Sequence, residues 1–536
     1  MEKLLQLKRW CEANLFYIII VIMLLGLLDL FMFKNINLAS ADLGRHLENG
    51  ELFFKDFTIA KTNFYSYTHP DYPFINHHWG SGAVFYLIWK ISGFPGLSFF
   101  YITLTLLTFF IFFQISKKIS ALALAVPFAL LAIPLIGERT EVRPEVFSYF
   151  FSAIFLWILW NYSKDKLSYR WLFVLPILEL VWVNFHIYFI FGFMLIGAFW
   201  LEELMNHSKI VARIFARKSL VDYRKFKKLS WVFFLTIIAS FANPYGAVAV
   251  LYPFNIFRNY GYRIIENQSV WFLERLGVTH DPNYLLYKIV AVMLIISFIL
   301  LLAINRRRFS LSLFGISAVF CVMAGLAIRN FTIFGFFVLP ALSYNIGCAL
   351  RKKISLDDLN LKLASALASI AIFSFVFWQD SGKIMAGGDA TLGLSPETNK
   401  AAEFFKSQKM HGPIFNNYDI GSYLIFHLYP EEKMFVDNRP EAYPVDFFEK
   451  IYIPMQEDPE KFAKFDKQYG FNSVFFYVND ATPWGQKFLV DLVDNPDWAP
   501  VFVNNYAIIF LKRNEQNKNI IEKNEIPRSH FGVTKN

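Results

Sequence analysis

Eleven apolar runs dominate this chain, at approximately 14–33, 97–116, 119–137, 145–160, 171–185, 187–203, 230–247, 287–304, 310–328, 331–350 and 361–378. An α-helix needs roughly 20 apolar residues to cross the hydrocarbon of a bilayer, with a lower bound of about 17. Only helices and closed barrels span membranes, and runs of this length read as helices. The expected fold is therefore a polytopic α-helical membrane protein with about 11 transmembrane helices. Composition agrees, with 62 Phe and only 18% charged residues, where soluble domains carry about 25%. Cys11, Cys321 and Cys348 are scattered in or beside apolar runs and give neither a disulfide framework nor a metal-ligand spacing.

The net charge of +9 would suit nucleic acid, but its distribution argues against that partner. Lys and Arg cluster in short loops between apolar runs. Lys3, Lys8 and Arg9 precede the first run; Lys117 and Lys118 follow the second; Lys164, Lys166 and Arg170 follow the fourth. The 204–229 loop carries eight Lys/Arg against one Asp, and Arg306–Arg308 and Arg351–Lys353 follow the eighth and tenth runs. With eleven spans all of these fall on one side, which the positive-inside rule makes cytoplasmic. The N-terminus is then cytoplasmic and the C-terminus outside. Ala39-Ser40-Ala41 is a small-x-small site of the kind signal peptidases cut. The apolar core before it, about 19 residues, exceeds a signal h-region, so the first run is read as an uncleaved anchor.

Residues 1–378 make the membrane domain, with a first external loop over 35–96. The apolar stretch Gly80–Gly93 is too short to span and reads as a membrane-lying helix. Beyond 378 the composition changes to dense charge and short alternating runs. Gly412–Phe415, Lys433–Val436, Ser473–Val478 and Tyr506–Lys512 read as strands, and Pro396–Ser407 and Pro459–Tyr469 as helices. Residues 379–513 are thus expected to form an extracytoplasmic α/β domain, and 514–536 a flexible tail.

The external face collects the unusual polar residues: Asp42, His46, Asp71, His77, His78 and Trp79 in the first loop, then GERTEVRPE (137–145), WVNFH (182–186), NPYG (243–246), the 248–286 loop and Arg329-Asn330. A transporter more often places such groups near the midplane. Convergence on one interface points to chemistry at the membrane surface.

The stretch ADLGRHLENGELFF through YSYTHPDYPFINHHWGSGAVFYLIWKISG resembles the first external loop of the GT-C superfamily, integral-membrane glycosyltransferases that use polyprenyl-phosphate-linked sugars. The order ERTEVRPE, WVNFHIYF, NPYG, AIRNFTIF and MFVDNRPEAY is similar to an uncharacterised bacterial branch of that group. The resemblance implies a glycosyltransferase of the plasma (inner) membrane. Its donor would be a polyprenyl-phosphate sugar and its acceptor a glycan, lipid or protein outside the cytoplasm. It places Asp42 at the superfamily's catalytic acidic position, with His46 and Glu141 as further catalytic candidates. Among the external cations Arg139, Arg143, Arg258, Arg263 and Arg329 that would meet the phosphate charge, Arg329 resembles the superfamily's phosphate-binding arginine most closely, and His77, His78, Trp79, Asn184 and His186 are further substrate-binding candidates. Many members carry paired acids here, whereas Asp42 stands alone. A divalent ion, Mg or Mn, on Asp42 with His77 or His78 is a possible cofactor, but no ligand spacing is diagnostic.

Plainer readings stand beside these. Asp42 suits the N-cap of a helix starting at Leu43. His77-His78 suit surface anchors beside Trp79, Arg143-Pro144 the first turn of a span, and Asn184 and His186 hydrogen bonds to neighbouring helices. Asp437–Arg439 suit a turn. For the whole chain, the alternatives are a lipid-linked-sugar transporter or flippase and a catalytically inactive GT-C-like scaffold.

Overall fold

The computed structural model describes residues 2–255, 258–277, 281–356, 358–385 and 391–532, with side chains from 14 onward. Each apolar run forms helix. In chain order the main ones are α1 (Glu2–Met32), α2 (Leu43–Asp56), α3 (Trp79–Ile119), α4 (Leu122–Ile136), α5 (Glu145–Ser163), α6 (Val174–Trp182) and α7 (Ile190–Asn206). They continue as α8 (Arg224–Ser240), α9 (Pro282–Asn305), α10 (Leu311–Leu326), α11 (Phe331–Leu350) and α12 (Leu359–Met385). Among the described residues, seven helices are long and apolar enough to cross a membrane, which makes this a multi-pass membrane protein. The helices over the runs at 119–137, 171–185, 230–247 and 310–328 fall outside that set. The helix at 171–185 is cut to the nine residues of α6 behind a 3-10 turn at Tyr169–Phe173.

The first loop contributes α2 and the opening limb of α3. That limb ends at Gly93, whose φ of 64° and ψ of −164° break the helix ahead of Pro95. The separate helix expected over Gly80–Gly93 is this limb. α2 crosses it closely: a Cβ on Gly50 would lie 2.4 Å from the Gly82 carbonyl oxygen, so any side chain there forces the two helices apart.

After α12 comes a four-stranded sheet of β1 (Ile414–Asn416), β2 (Ser473–Tyr477), β3 (Trp498–Val503) and β4 (Ala507–Lys512) in the order β1-β2-β4-β3. β1 runs parallel to β2, and the other pairs are antiparallel. Three strands coincide with expectation. The Lys433–Val436 run forms no strand; Met434 instead makes an isolated bridge to Ser66 of the first loop. β3 went unread because Pro500 and a register shift between Pro500 and Phe502 interrupt its alternation. The expected loose tail is partly ordered, because α14 (Lys518–Asn524), which follows α13 (Gly421–Leu428), packs on β3. Buried Asn517 ties it down by donating to the Asn472 side chain at 2.9 Å and to the Lys512 carbonyl at 2.9 Å.

The sheet domain and the first loop share their packing. Ala60 and Phe74 sit in the domain's aromatic core. The Arg45 amide donates to Ser422 Oγ at 2.8 Å, at the start of α13. Asp437–Arg439 is no simple turn. Arg439 is fully buried, bidentate to Asp437 at 2.6 and 2.7 Å, and reaches Asn63 Oδ1 at 2.5 Å. Phe74 covers it at 4.4 Å.

Removing one partner of a buried ion pair costs about 3–5 kcal/mol, because the other charge stays buried alone. Arg439→Met is therefore expected to lower the melting temperature of the purified protein by many degrees. Lys450→Met, which loses an exposed pair with Asp446, is the control and should leave it in place. Equal melting curves for the two variants would refute a structural role for Arg439.

Candidate active site

Asp42 occupies the N-cap of α2, yet its side chain makes no capping hydrogen bond. The carboxylate instead faces cations, with Oδ2 3.5 Å from Arg143 Nη1 and Oδ1 4.0 Å from Arg45 Nη2. One quarter of the side chain remains open to solvent. Arg143 comes from the turn between α4 and α5, where Pro144 starts α5. It also holds Glu141 at 2.5 Å and Glu266 at 3.3 Å. Glu266 lies on the loop before α9 and gathers three arginines, with Arg139 at 2.5 Å and Arg329 at 3.7 Å completing the set. Glu145, the first residue of α5, bridges Arg139 at 3.2 Å and Arg329 at 3.1 Å. Four segments remote in sequence thus meet in one alternating network. A cavity of about 150 Å³ opens beside it, lined by Asn37, Ala41, Ser98, Tyr101, Glu141 and Val142 among others.

The protonation of these groups follows from their surroundings. Burial pushes the Glu266 carboxyl up, but Arg139, Arg143 and Arg329 more than reverse that and hold it well below the usual range. For Asp42 the balance goes the other way. Burial raises it, Arg143 and Arg45 pull it down only in part, and Glu266 and Glu141 add repulsion, so it sits above an ordinary Asp. A carboxylate so placed takes up a proton more readily than a free one.

Four imidazoles flank the network. His46 lies one turn beyond Asp42 on α2, with its ring edge-on to His78 at 5.3 Å. His78 stacks on His186 at 5.1 Å and touches His77 at 3.9 Å. His186 Nδ1 meets Ser148 Oγ at 2.9 Å, and that oxygen also accepts from Trp182 Nε1 at 2.8 Å. Burial depresses all four, His77 to about 4 and His186 to about 3, with His46 and His78 well below their ordinary value. At neutral pH they are uncharged and form a polar wall that adds no cation to the site. Buried His46 Nδ1 makes no hydrogen bond among the described residues.

No protein-family model matches the chain, and no curated protein matches it by sequence. Solved structures do match. The oligosaccharyltransferase AglB of Archaeoglobus fulgidus, in complex with an inhibitory peptide and a dolichol-phosphate, aligns with a TM-score of 0.58 at 10% identity, covering 95% of this chain and 75% of that one. The oligosaccharyltransferase of the same organism tethered to an acceptor peptide gives 0.56 at 11%, over 95% and 75%. ArnT of Cupriavidus metallidurans bound to undecaprenyl phosphate gives 0.50 at 13%, over 93% and 98%. The chain shares the fold of these structures, the GT-C-like fold expected from the sequence.

Within the GT-C fold, the candidates separate by position. Asp42, Glu141, Arg143 and Arg329 meet in the ionic network, and His46, His77, His78 and His186 in the adjoining wall. Trp79 and Asn184 act as scaffold: Trp79 Nε1 donates to Asn184 Oδ1 at 2.9 Å, and Asn184 Nδ2 donates to the Ala242 carbonyl at 2.8 Å. Arg263 is exposed and forms no ion pair among the described residues. Sequence reading missed Arg45, Glu145, Glu266 and Asp419. Glu145 had a signal in the alternation Glu138, Arg139, Glu141, Arg143, Glu145. Glu266 had none, since only the fold brings it to its arginines. Asp419, pushed up to about 7 by burial and by Asp480 and Asp42, enters from the sheet domain.

The donor set does not fit a divalent ion. The carboxylates of Asp42, Glu141 and Glu266 face guanidinium groups rather than one another. Among the described residues no three His, Cys, Asp or Glu side chains converge as metal ligands.

The imidazole wall predicts acid sensitivity. The unfolded chain binds a proton at His186 below about 6.5, the folded chain only below about 3. The folded state therefore loses stability as pH falls through that window, with a slope set by the one proton that the unfolded chain takes up at this residue and the folded chain does not. In His186→Gln the melting temperature is expected to fall less steeply between pH 6.5 and 4 than in the parent. Parallel slopes would show that the imidazole is not buried neutral.

Proposed function

We propose that this protein is a membrane glycosyltransferase that moves a sugar from a polyprenyl-phosphate donor to an acceptor outside the cytoplasm. The observation that carries the reading is an acidic side chain, Asp42, left free of its helix-capping duty. It stands 3.5 Å from an arginine cluster at the polar end of a GT-C bundle. In the proposed step the acceptor O–H gives its proton to Asp42, and the acceptor oxygen forms a bond to the anomeric carbon. The bond from that carbon to the phosphate oxygen breaks, and its electron pair leaves on the polyprenyl phosphate. A single displacement of this kind inverts the anomeric centre. Arg329, Arg143 and Arg139 meet the charge that develops on the leaving phosphate. His46 and the other imidazoles line the pocket without competing for the proton, because they are neutral and weakly basic. The site and the sheet domain lie on the extracytoplasmic side of the plasma membrane, with the basic loops inside.

One observation favours a second reading, an inactive scaffold: each of the four arginines already has a carboxylate partner. The two readings part in an assay. Purified protein is given radiolabelled polyprenyl-phosphate sugars and cell-envelope extract. Transfer is expected, and Asp42→Asn should reduce it about 10²–10⁴-fold, the usual range for a general base. The acid limb of the parent's pH profile should lie above the ordinary Asp value of 3.8, because the base must be ionised and its pKa is raised. Arg329→Gln should cost about 10²–10³-fold, as loss of one charge-stabilising donor does. Full transfer by Asp42→Asn sinks the catalytic assignment, and no transfer from any donor by folded protein favours the scaffold.

A further inference from the structure

The opposite end of the bundle carries a second polar site. α5 starts at Glu145 in the ionic network and runs nineteen residues to Ser163, which at ~1.5 Å per residue separates its ends by about 28 Å. At the far end is a cavity of about 380 Å³ walled by Trp160, Tyr344 and Cys348 and ringed by Lys118, Lys164, Lys166, Arg308, Arg351 and Lys352. These six cations come from the ends of α3, α5, α9 and α11 and the turns after them. No carboxylate lines the cavity, and among the described residues none of the six forms an ion pair. Of the nearby acids, Asp165 holds Lys225 at 2.7 Å, and Glu202 accepts from Ser310 at 3.0 Å while its charge also acts on Lys164 from beside the cavity.

The cations that are held are held without being neutralised. Arg351 Nη2 donates to the Ser120 carbonyl at 2.6 Å, Lys352 Nζ to the Ile304 carbonyl at 2.5 Å, and Lys164 lies over the Trp160 ring at 4.7 Å. Six like charges around one cavity repel each other, and an anion seated among them relieves that repulsion.

An adjoining feature fixes what kind of anion. Lys118 also borders a groove of about 420 Å³ between α3 and α5, lined by Phe110, Ile111, Gln114, Ile154 and Trp157. It is open and mainly apolar, and it runs along one flank of two helices long and apolar enough to cross a membrane. A cationic cup joined through one lysine to an apolar groove matches a headgroup with its acyl chain. A free phosphate would use only the cup. Basic pockets between spans on the cytoplasmic side are where anionic headgroups bind.

We propose that this end of the protein is a binding site for an anionic phospholipid of the cytoplasmic leaflet. The phosphate headgroup lies among the six cations and one acyl chain in the α3–α5 groove. The proposal is independent of the Asp42 chemistry.

The test is native mass spectrometry of the full-length protein in detergent, titrated in turn with phosphatidylglycerol, cardiolipin, phosphatidylcholine, undecaprenyl phosphate and inorganic phosphate. Melting temperatures are read in parallel. The anionic phospholipids are expected to bind at least tenfold more tightly than phosphatidylcholine and inorganic phosphate, and to raise the melting temperature. In the triple variant Lys118→Gln, Lys166→Gln, Arg308→Gln, whose side chains make no hydrogen bond among the described residues, that preference should disappear. Ile154→Trp, which fills the groove while leaving the cations, should weaken phospholipid binding and leave inorganic phosphate unchanged. Arg213→Gln with Lys218→Gln removes charge from the same face outside the cavity and should change nothing. Equal binding of anionic and zwitterionic lipid overturns the proposal. So does a preference for undecaprenyl phosphate, or an effect of the Arg213/Lys218 variant equal to that of the triple variant.

Discussion

Four arginines and four carboxylates sit together at one end of this bundle, and neither set is stable there without the other. An unpaired guanidinium in that half-buried place would cost several kcal/mol, of order 3–5 when one partner of a buried pair is removed. The network therefore fixes more than charge. Glu145 sets the start of α5, Arg329 the turn between α10 and α11, Glu266 the loop before α9, and Asp42 the start of α2. The contact of Arg143 with Asp42 and those of Glu266 with Arg139, Arg143 and Arg329 cross between segments, so the first loop is held to the bundle by the same atoms that would perform chemistry. Asp42 is available because the arginines, rather than its own helix, hold its carboxylate.

The network also bears on the donor that the proposed reaction would need. Glu266 takes the geometry that a phosphate would take, one anion shared by Arg139, Arg143 and Arg329. A phosphate carries more charge and more acceptor oxygens than a carboxylate. Under the proposed function a donor phosphate would compete with Glu266 for these arginines rather than fill an empty cup. The sheet domain bounds the same space from the other side. Arg439 locks it to the first loop through Asn63, and burial with the charges of Asp480 and Asp42 pushes the Asp419 carboxyl up to about 7.

The two ends of the molecule differ in how their charge is met. At the Asp42 end, cations and anions alternate. At the far end, six cations ring a cavity with no anion lining it. One arrangement is complete within the protein, while the other depends on what the surrounding leaflet supplies.

The sequence by itself determined the membrane class, the first loop as the seat of unusual polarity, and three of the four strands. These follow from local pattern: run length and alternation. Asp42, Arg143, Arg329 and the histidines were legible for the same reason, since they stand out as polar residues at the ends of apolar runs. Tertiary structure alone decided what those residues touch. Glu266 lies in an ordinary stretch and matters only because three arginines from elsewhere converge on it. Asp437 and Arg439 read as a turn until Asn63 and Phe74 enclose them. Asn517 and α14 read as a tail until Asn472 and β3 receive them. Periodicity records which face of a segment is buried, but the identity of a distant partner is set by packing and charge neutralisation between segments, which no local window contains.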